Sequence, residues 1–359
     1  MSKIVSIGTA VPDCKHDQQN ILTFMKQVYA LSETDSRKLQ FLYKQAGIDT
    51  RYSVIPDYSA TAADWQFYSP TENLEPFPSV EDRMKVYKEY AAPLSIKAID
   101  NCLGSFPVKD ITHLITVSCT GMSAPGLDLE VLELLHLPPT TCRTSVNFMG
   151  CYAAIHALKI ANAFCLADEN ANVLIVCTEL CTLHFQNEPT VENMTSSMLF
   201  ADGAAAVLVT GNKKAAGINI DNFYSLVVAK GSSDMAWDIS SKGFLMTLSS
   251  YIPDLIEEDF DGLATNALAA AKLKKEDIAH WCIHPGGKKI LESVHKSLGF
   301  TNGQLQTAYD VLKDHGNMSS PTILFVLKKI LSATTKKGEK IFGAAFGPGL
   351  TMETFILSA

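Results

Sequence analysis

The chain repeats itself, and the repeat limits what it can fold into. Asp110-Ile111-Thr112-His113-Leu114-Ile115 is matched by Asp277-Ile278-Ala279-His280-Trp281-Cys282, 167 residues further on. Each run leads into a glycine-containing turn, Thr120-Gly121 in one case and Pro285-Gly286-Gly287 in the other, and then a helical pattern. Met149-Gly150-Cys151 and the helix after it correspond to Gly316-Asn317-Met318-Ser319 and its helix. Leu158-Lys159 and Leu327-Lys328 within those helices are 169 residues apart. Asn172 to Val176 parallels Lys340 to Ala345, and Ala204 to Thr210 parallels Leu350 to Leu357. A near-constant offset predicts a duplicated unit, residues 1 to about 212 and then 213 to 359, each with a β–helix–turn–β–helix–β–β order. Strands alternating with helices predict an α/β fold with largely buried sheets. The length agrees, because 359 residues exceed one ordinary core and suit two halves.

A pseudo-twofold of this kind brings equivalent corners face to face. One corner lies in Thr144 to Phe164, where a β-type run meets Gly150 and Cys151 and then an apolar helical pattern at Ala154, Ile155, Leu158 and Ala161. A cysteine in the first turn of a helix sits in the positive end of its dipole, which favours the thiolate. Gly150 permits the tight corner that would thrust the sulfur into a cavity. The opposite corner is Gly316-Asn317-Met318-Ser319, with His284 close by in Ile283-His284-Pro285-Gly286-Gly287. Cysteine beside histidine is the pairing of an acyl-accepting nucleophile. Histidine with an asparagine amide supplies two donors for a thioester oxyanion or an enolate.

The rest of the chain carries fewer signals. Lys3 to Ala10 reads as a buried strand, Gln18 to Tyr43 as a polar helix, and Pro56 to Pro78 as a loop. Glu81 to Leu103 reads as a helix and Ile111 to Ser118 as a buried strand. A net charge of −8 gives no general footprint for nucleic acid or an anionic membrane, so an anionic ligand needs a local basic patch. Nine cysteines without paired or metal-type spacing point to a reducing compartment and no metal site. The first residues pass from an apolar strand straight to Val11-Pro12-Asp13, unlike a signal peptide, and no run is long enough to span a bilayer. The expectation is a cytoplasmic enzyme.

With these residues in view, the sequence resembles the type III polyketide synthases, the chalcone-synthase-like branch of the thiolase superfamily. The resemblance rests on Gly150-Cys151, His284-Pro285-Gly286-Gly287, Gly316-Asn317-Met318-Ser319-Ser320, Phe346-Gly347-Pro348-Gly349-Leu350 and Leu199-Phe200-Ala201-Asp202-Gly203, and runs from about Lys3 to Ser358. It implies a thiolase fold with duplicated αβαβα layers, a homodimer, CoA thioesters as substrates and no metal or organic cofactor. It implies that Cys151 holds the starter acyl group, while His284 and Asn317 bind malonyl-CoA and stabilise the enolate formed on decarboxylation. It places Phe200 at a gate, with Ser319 and the glycines Gly286 and Gly287 beside the substrate and its CoA arm.

Departures from the plant pattern bear on the product. Met246 stands where a second gate phenylalanine is usual, and a thioether is more flexible than a ring. Cys119, Cys181 and His184 replace three pocket threonines, Trp237 replaces a small pocket residue, and Ala124 replaces the methionine that reaches into the partner's pocket. Cys119 reads either as a packing residue or as a second thiol, and His184 either as a pocket residue or as a satisfied core histidine. These changes resemble the bacterial members, which make pyrones, resorcinols or phloroglucinols. For the CoA phosphates the resemblance points to Lys44 and Arg51, with Lys288 and Lys289 as a further pair and Asp49 where a lysine is usual. Two other readings remain at this stage: a single-condensation ketoacyl synthase acting on carrier protein, and a catalytically silent acyl-CoA-binding scaffold.

Overall fold

The apolar runs of the repeat become the strands of one nine-stranded sheet. The computed structural model describes every residue except Met1, Glu72, Ser232, Ser233, Ser250, Asn302 and Thr334. In chain order the strands are β1 (Lys3–Ala10), β2 (Cys14–Asp17), β3 (Thr50–Ser53), β4 (His113–Ser118), β5 (Cys142–Asn147), β6 (Asn172–Leu180) and β7 (Asp202–Thr210). They continue as β8 (Ile218–Val227), β9 (Met235–Ser240), β10 (Gly243–Leu248), β11 (Ile278–Ile283), β12 (Lys340–Gly347) and β13 (Thr351–Ser358). The large sheet runs β11-β12-β13-β8-β1-β7-β6-β4-β5, and β2 with β3 and β9 with β10 form separate hairpin-like pairs.

Read outward from its middle, the sheet is two copies of one plan. β1, β7, β6 and β4 on one side answer to β8, β13, β12 and β11 on the other. The directions agree as well: β4 with β6 and β11 with β12 are parallel, and the remaining equivalent pairs are antiparallel. The copies join through β1 and β8 by the residue pairs Lys3 with Asn219 and Ile4 with Ile218, and the Ile220 N–H donates to Ser2 O at 3.1 Å beside them. The helices Ala153–Ala167 and Thr322–Ser332 each pack on strands of both copies, the first on β6 and β13 and the second on β11, β1 and β7. All nine residues of β7 are buried, as expected for a strand covered on both faces.

The second copy departs from the expected order. Where β5 precedes the Cys151 corner, the helix Gln306–His315 precedes the Asn317 corner. All that remains of strand pairing there is an isolated bridge between Asn317 and Phe200. The helix expected over residues 18 to 43 is also two helices, Gln18–Tyr29 and Glu33–Gln45. Ala30 at φ 44 ends the first, and Ser32 caps the second by accepting from the Asp35 N–H. That cap is a stronger local preference than continuing the helix.

Candidate active site

Gly150 and the turn after it place Cys151. Gly150 has φ +79, and a Cβ there would collide with the ring of Pro348, so no other residue fits this corner. Phe148 is also left-handed, at φ 56, and the helix proper begins only at Ala153. Cys151 therefore stands just outside the first helical turn rather than in it. Its Sγ lies 3.5 Å from the Ser319 Oγ. Burial pushes the thiol up to about 12, with the Ser319 and Asn317 side chains acting in the opposite direction.

His284 follows the end of β11, where its N–H bonds to Ala344 O at 2.8 Å. The ring is 1% exposed, and neither nitrogen has a partner among the described residues. Burial lowers its pKa to about 3, so it rests as the neutral imidazole. A buried ring with both nitrogens unpartnered is uncommon in a protein core and suits a group reserved for substrate. Asn317 is fixed from several sides. Its Nδ2 donates to Gly286 O at 3.1 Å, its Oδ1 accepts from the Ser319 N–H at 2.8 Å, and its backbone bridges Leu199 and Ala201. In this corner Ser319, at φ 59, and Gly316, at φ 70, both have positive φ. The Asn317 amide also acts on the Cys151 sulfur.

Cys151, His284, Asn317 and Ser319 line one cavity of about 580 Å³. Its wall also carries Cys119, Cys181, Phe200, Trp237 and Met246, and Gly286 and Gly287 border it. The exposed side chains Val191 and Tyr251, with Lys289, mark its mouth. Trp237 and Met246 are directly opposed across the β9–β10 pair. The Trp237 indole N–H donates to Cys119 O at 2.8 Å, which anchors the ring over the cavity. The Cys119 sulfur accepts from the Gly150 N–H at 3.0 Å, and burial beside Glu179 raises its pKa well above the ordinary value. It is a structural thiol that buttresses the nucleophile's corner.

Two expected positions lie elsewhere. His184 does not line the reaction cavity. Its Nε2–H donates to Thr120 O at 2.9 Å, its Nδ1 accepts from the Phe244 N–H, and the ring stacks on Phe244 with centroids 4.3 Å apart. Burial lowers its pKa to about 3, which makes it a satisfied neutral core histidine. Arg51 cannot reach a surface phosphate, because it is 4% exposed and committed inward. Its Nε donates to Gln18 and its Nη1 to Phe200 O, at 2.9 and 2.6 Å. Gln18 in turn donates to Met198 O, and Asn317 N–H to Leu199 O. Three successive carbonyls at the end of the Val191–Leu199 helix are thereby held by three separate segments, which fixes Phe200 against Asn317. Of the other cations, Lys44 is exposed but off the cavity wall, whereas Lys288 and Lys289 are on it. The stem of Lys288 lies along Gly47, and Asp49 is taken by Lys313.

Glu179 is a residue the sequence reading passed over. It is fully buried and accepts from the Cys119 N–H, the Thr120 hydroxyl and the Ser320 hydroxyl. Burial lifts its pKa to about 7. A single carboxylate inside the apolar run Val173 to Leu180 was the signal that could have found it.

A thiol, an unpartnered imidazole and an amide on the corners of a duplicated sheet, around a cavity with lysines at its mouth, define a thiolase-fold acyltransferase. The comparisons sharpen that class. The N-terminal domain profile of the chalcone and stilbene synthases matches residues 1–213, and the C-terminal domain profile of the same family matches residues 223–359. A putative chalcone synthase of Bacillus subtilis is 32% identical, covering 100% of this chain and 99% of its own length. A Mycobacterium tuberculosis protein described as an alpha-pyrone synthesis polyketide synthase-like is 30% identical, over 77% of this chain and 72% of its own. The crystal structure of PKS-I from the brown alga Ectocarpus siliculosus superposes with a TM-score of 0.92 at 28% identity, covering 99% of this chain and 98% of that one. The chain belongs to the chalcone and stilbene synthase family, the type III polyketide synthases, and is an enzyme of the acyltransferase type.

Proposed function

We propose that the protein extends a CoA-linked starter acyl group with several malonyl units and cyclises the product to a pyrone, resorcinol or phloroglucinol. The supporting observation is that Cys151, unpartnered His284 and Asn317 share one cavity. In acyl loading the Cys151 proton passes to the neutral imidazole of His284. The sulfur then attacks the starter thioester, and CoA leaves with that proton. Transfer from thiol to imidazole leaves the net charge of the cavity unchanged. It is therefore less opposed by burial than ionisation of either group alone. Malonyl-CoA next places its thioester oxygen against the His284 N–H and the second Nδ2 hydrogen of Asn317. Carbon dioxide departs and leaves its electron pair as an enolate held by those two donors. The enolate carbon attacks the acyl-Cys151 carbonyl, the C–S bond breaks, and the lengthened chain remains on CoA for reloading. Phe200 keeps water from the malonyl carboxylate, which favours its loss.

On this reading no metal or organic cofactor takes part, and Lys288 and Lys289 meet the CoA phosphates. The chain works in the cytoplasm as a homodimer of two-half protomers, residues 1–212 and 213–359, without nucleic-acid or membrane partners. Among the described residues no helix is long and apolar enough to cross a membrane.

The test is mass spectrometry of products from purified protein, malonyl-CoA and acyl-CoA starters, without carrier protein. Multi-malonate pyrones or resorcinols, abolished by Cys151→Ala, are the expected result. A single two-carbon extension that appears only with malonyl carrier protein would move the enzyme to the ketoacyl synthases. Product formation unchanged in Cys151→Ala would remove the cysteine from the mechanism.

A further inference from the structure

A second, smaller chamber lies behind the wall of the reaction cavity. Its volume is about 40 Å³, room for a few water-sized spheres or the oxygens of one small polar group. Cys181, Phe200, Trp237 and Met246 line both spaces, so a single layer of side chains separates them. The partition contains Met246, an unbranched thioether that can change rotamer without backbone movement.

The chamber's lining is mixed, more apolar than polar, and its one formal charge is positive. Among the described residues no aspartate or glutamate lines it, and its two histidines are engaged. His16 is bonded to Ser59 and to Ile55 O, and His184 to Thr120 O and the Phe244 N–H. Arg51 is different. Its Nε and Nη1 are taken by Gln18 and Phe200 O, but Nη2 has no partner among the described residues. The Ser196 hydroxyl, on the same wall, is likewise buried and unpartnered. The carboxylate of Asp202 does not meet the need, because its oxygens take the Val54 N–H, the Thr182 N–H and the Thr182 hydroxyl. The Tyr43 hydroxyl and the Asp202 carboxylate lie near the guanidinium, but neither makes a hydrogen bond of good geometry to Nη2, so Nη2 and the Ser196 hydroxyl are left as donors without a partner among the described residues. A buried unsatisfied donor is costly, more so when charged, so such a group calls for an acceptor.

We propose that this chamber is a subsite for the distal carboxylate of an ω-carboxyacyl starter, bound by Arg51 Nη2 and Ser196 Oγ once Met246 swings aside. The proposal rests on the type III synthase reading and names its starter class. A carboxylate offers two oxygens to these donors and adds a charge opposite to that of Arg51. An alkyl end of the same length offers neither and would leave the donors unpaired.

The experiment compares starters in pairs, with malonyl-CoA as extender and purified full-length protein. Succinyl-, adipyl- and sebacyl-CoA are each set against the alkyl-CoA of matching length, and kcat/KM is read from product mass spectra. One carboxy starter, of the length that reaches the chamber, is expected to exceed its alkyl partner by about tenfold or more, as charge-assisted hydrogen bonds allow. Ser196→Ala should lower that value roughly fivefold, by the loss of one such bond, and leave the alkyl starter unchanged. Alkyl starters extended at every length without any carboxy preference would mean that the chamber holds only water, and would overturn the proposal. A preference that Ser196→Ala does not touch would overturn it too, by placing recognition elsewhere. Failure to extend any starter would sink the synthase reading itself, and this subsite with it.

Discussion

At the scale of single residues, the nucleophile shows two effects in opposition. The helix dipole contributes about 0.3–1 kcal/mol, under one pKa unit, whereas full burial shifts a group by up to about 3–5 units. Cys151 lies outside the first helical turn in a buried site, so burial wins and the resting group is the thiol. Activation then depends on His284, and His284 depends on the empty space against it. Gly286 supplies that space. A Cβ on Gly286 would sit 3.6 Å from the His284 Cδ2 and 3.8 Å from Nε2, ordinary contacts that the fold tolerates. The methyl would nonetheless occupy the position a thioester oxygen needs. Gly286→Ala is therefore expected to keep the wild-type melting temperature while kcat/KM for malonyl-CoA decarboxylation falls by roughly 100-fold, the price of misplacing a reacting group by about 1 Å. Full activity in a folded Gly286→Ala protein would mean that substrate approaches His284 from another side. The identities of Cys151, His284 and Asn317 were legible in the sequence because each closes a short motif. The task of Arg51 was not. A sequence records its charge but not whether the strand that bears it turns inward, and here β3 turns it under the Gly316 corner, whose Cβ would meet Arg51 Cγ at 2.8 Å.

At the scale of elements, the legible parts were those whose burial is written in apolar runs. β4, β6, β7, β11, β12 and β13 are mostly or wholly buried, so each appears as a hydrophobic segment and the repeat aligns them. β5, exposed at all but two of its positions, has no such signature, and its absence from the second copy could not be read from pattern alone. The break at Ala30 was missed because the cap at Ser32 is a two-residue signal inside a polar stretch. The β9–β10 pair was also faint in the sequence, yet it shapes the cavity by setting Trp237 opposite Met246. Because the Trp237 indole is tied to Cys119 O, it stands as a fixed wall and not a mobile lid. Trp237→Gly removes that wall and is expected to shift the products toward longer or bulkier chains by at least one malonyl unit. Mass spectra with one starter, run side by side with wild type, check this. An unaltered product distribution would assign Trp237 to packing alone.

At the scale of the whole molecule, four buried titrating groups act against one another. His184 and His284 fall from the ordinary 6.5 to about 3 in the folded chain, whereas Glu179 rises from 4.5 to about 7 and Asp202 from 3.8 to about 6. Between about pH 5 and 6.5 the unfolded chain binds protons on these two histidines that the folded chain refuses, and burial lowers His16, His113 and His315 in the same direction, which makes stability rise with pH. Over the same window the folded chain keeps protons on Glu179 and Asp202 that the unfolded chain has lost, which makes stability fall with pH. The histidine effect outweighs the carboxyl effect. Wild-type stability is expected to rise with pH between about pH 5 and 6.5, less steeply than the histidines alone would make it, and to decline further below that range. Glu179→Gln removes one side of the balance while keeping a group that Ser320 and Thr120 can bond. At about pH 8 wild type carries the full cost of a buried ionised Glu179, about 3 kcal/mol from a shift of 4.5 to about 7. The variant should there melt higher, by about 4 °C for a chain of this length. The advantage should shrink toward zero near pH 5, where the wild-type carboxyl is already protonated, so the variant's own melting temperature should rise with pH across the histidine window. Calorimetry of both proteins at matched concentration over this range decides it. A constant offset between the two curves would show that Glu179 does not titrate between pH 5 and 8.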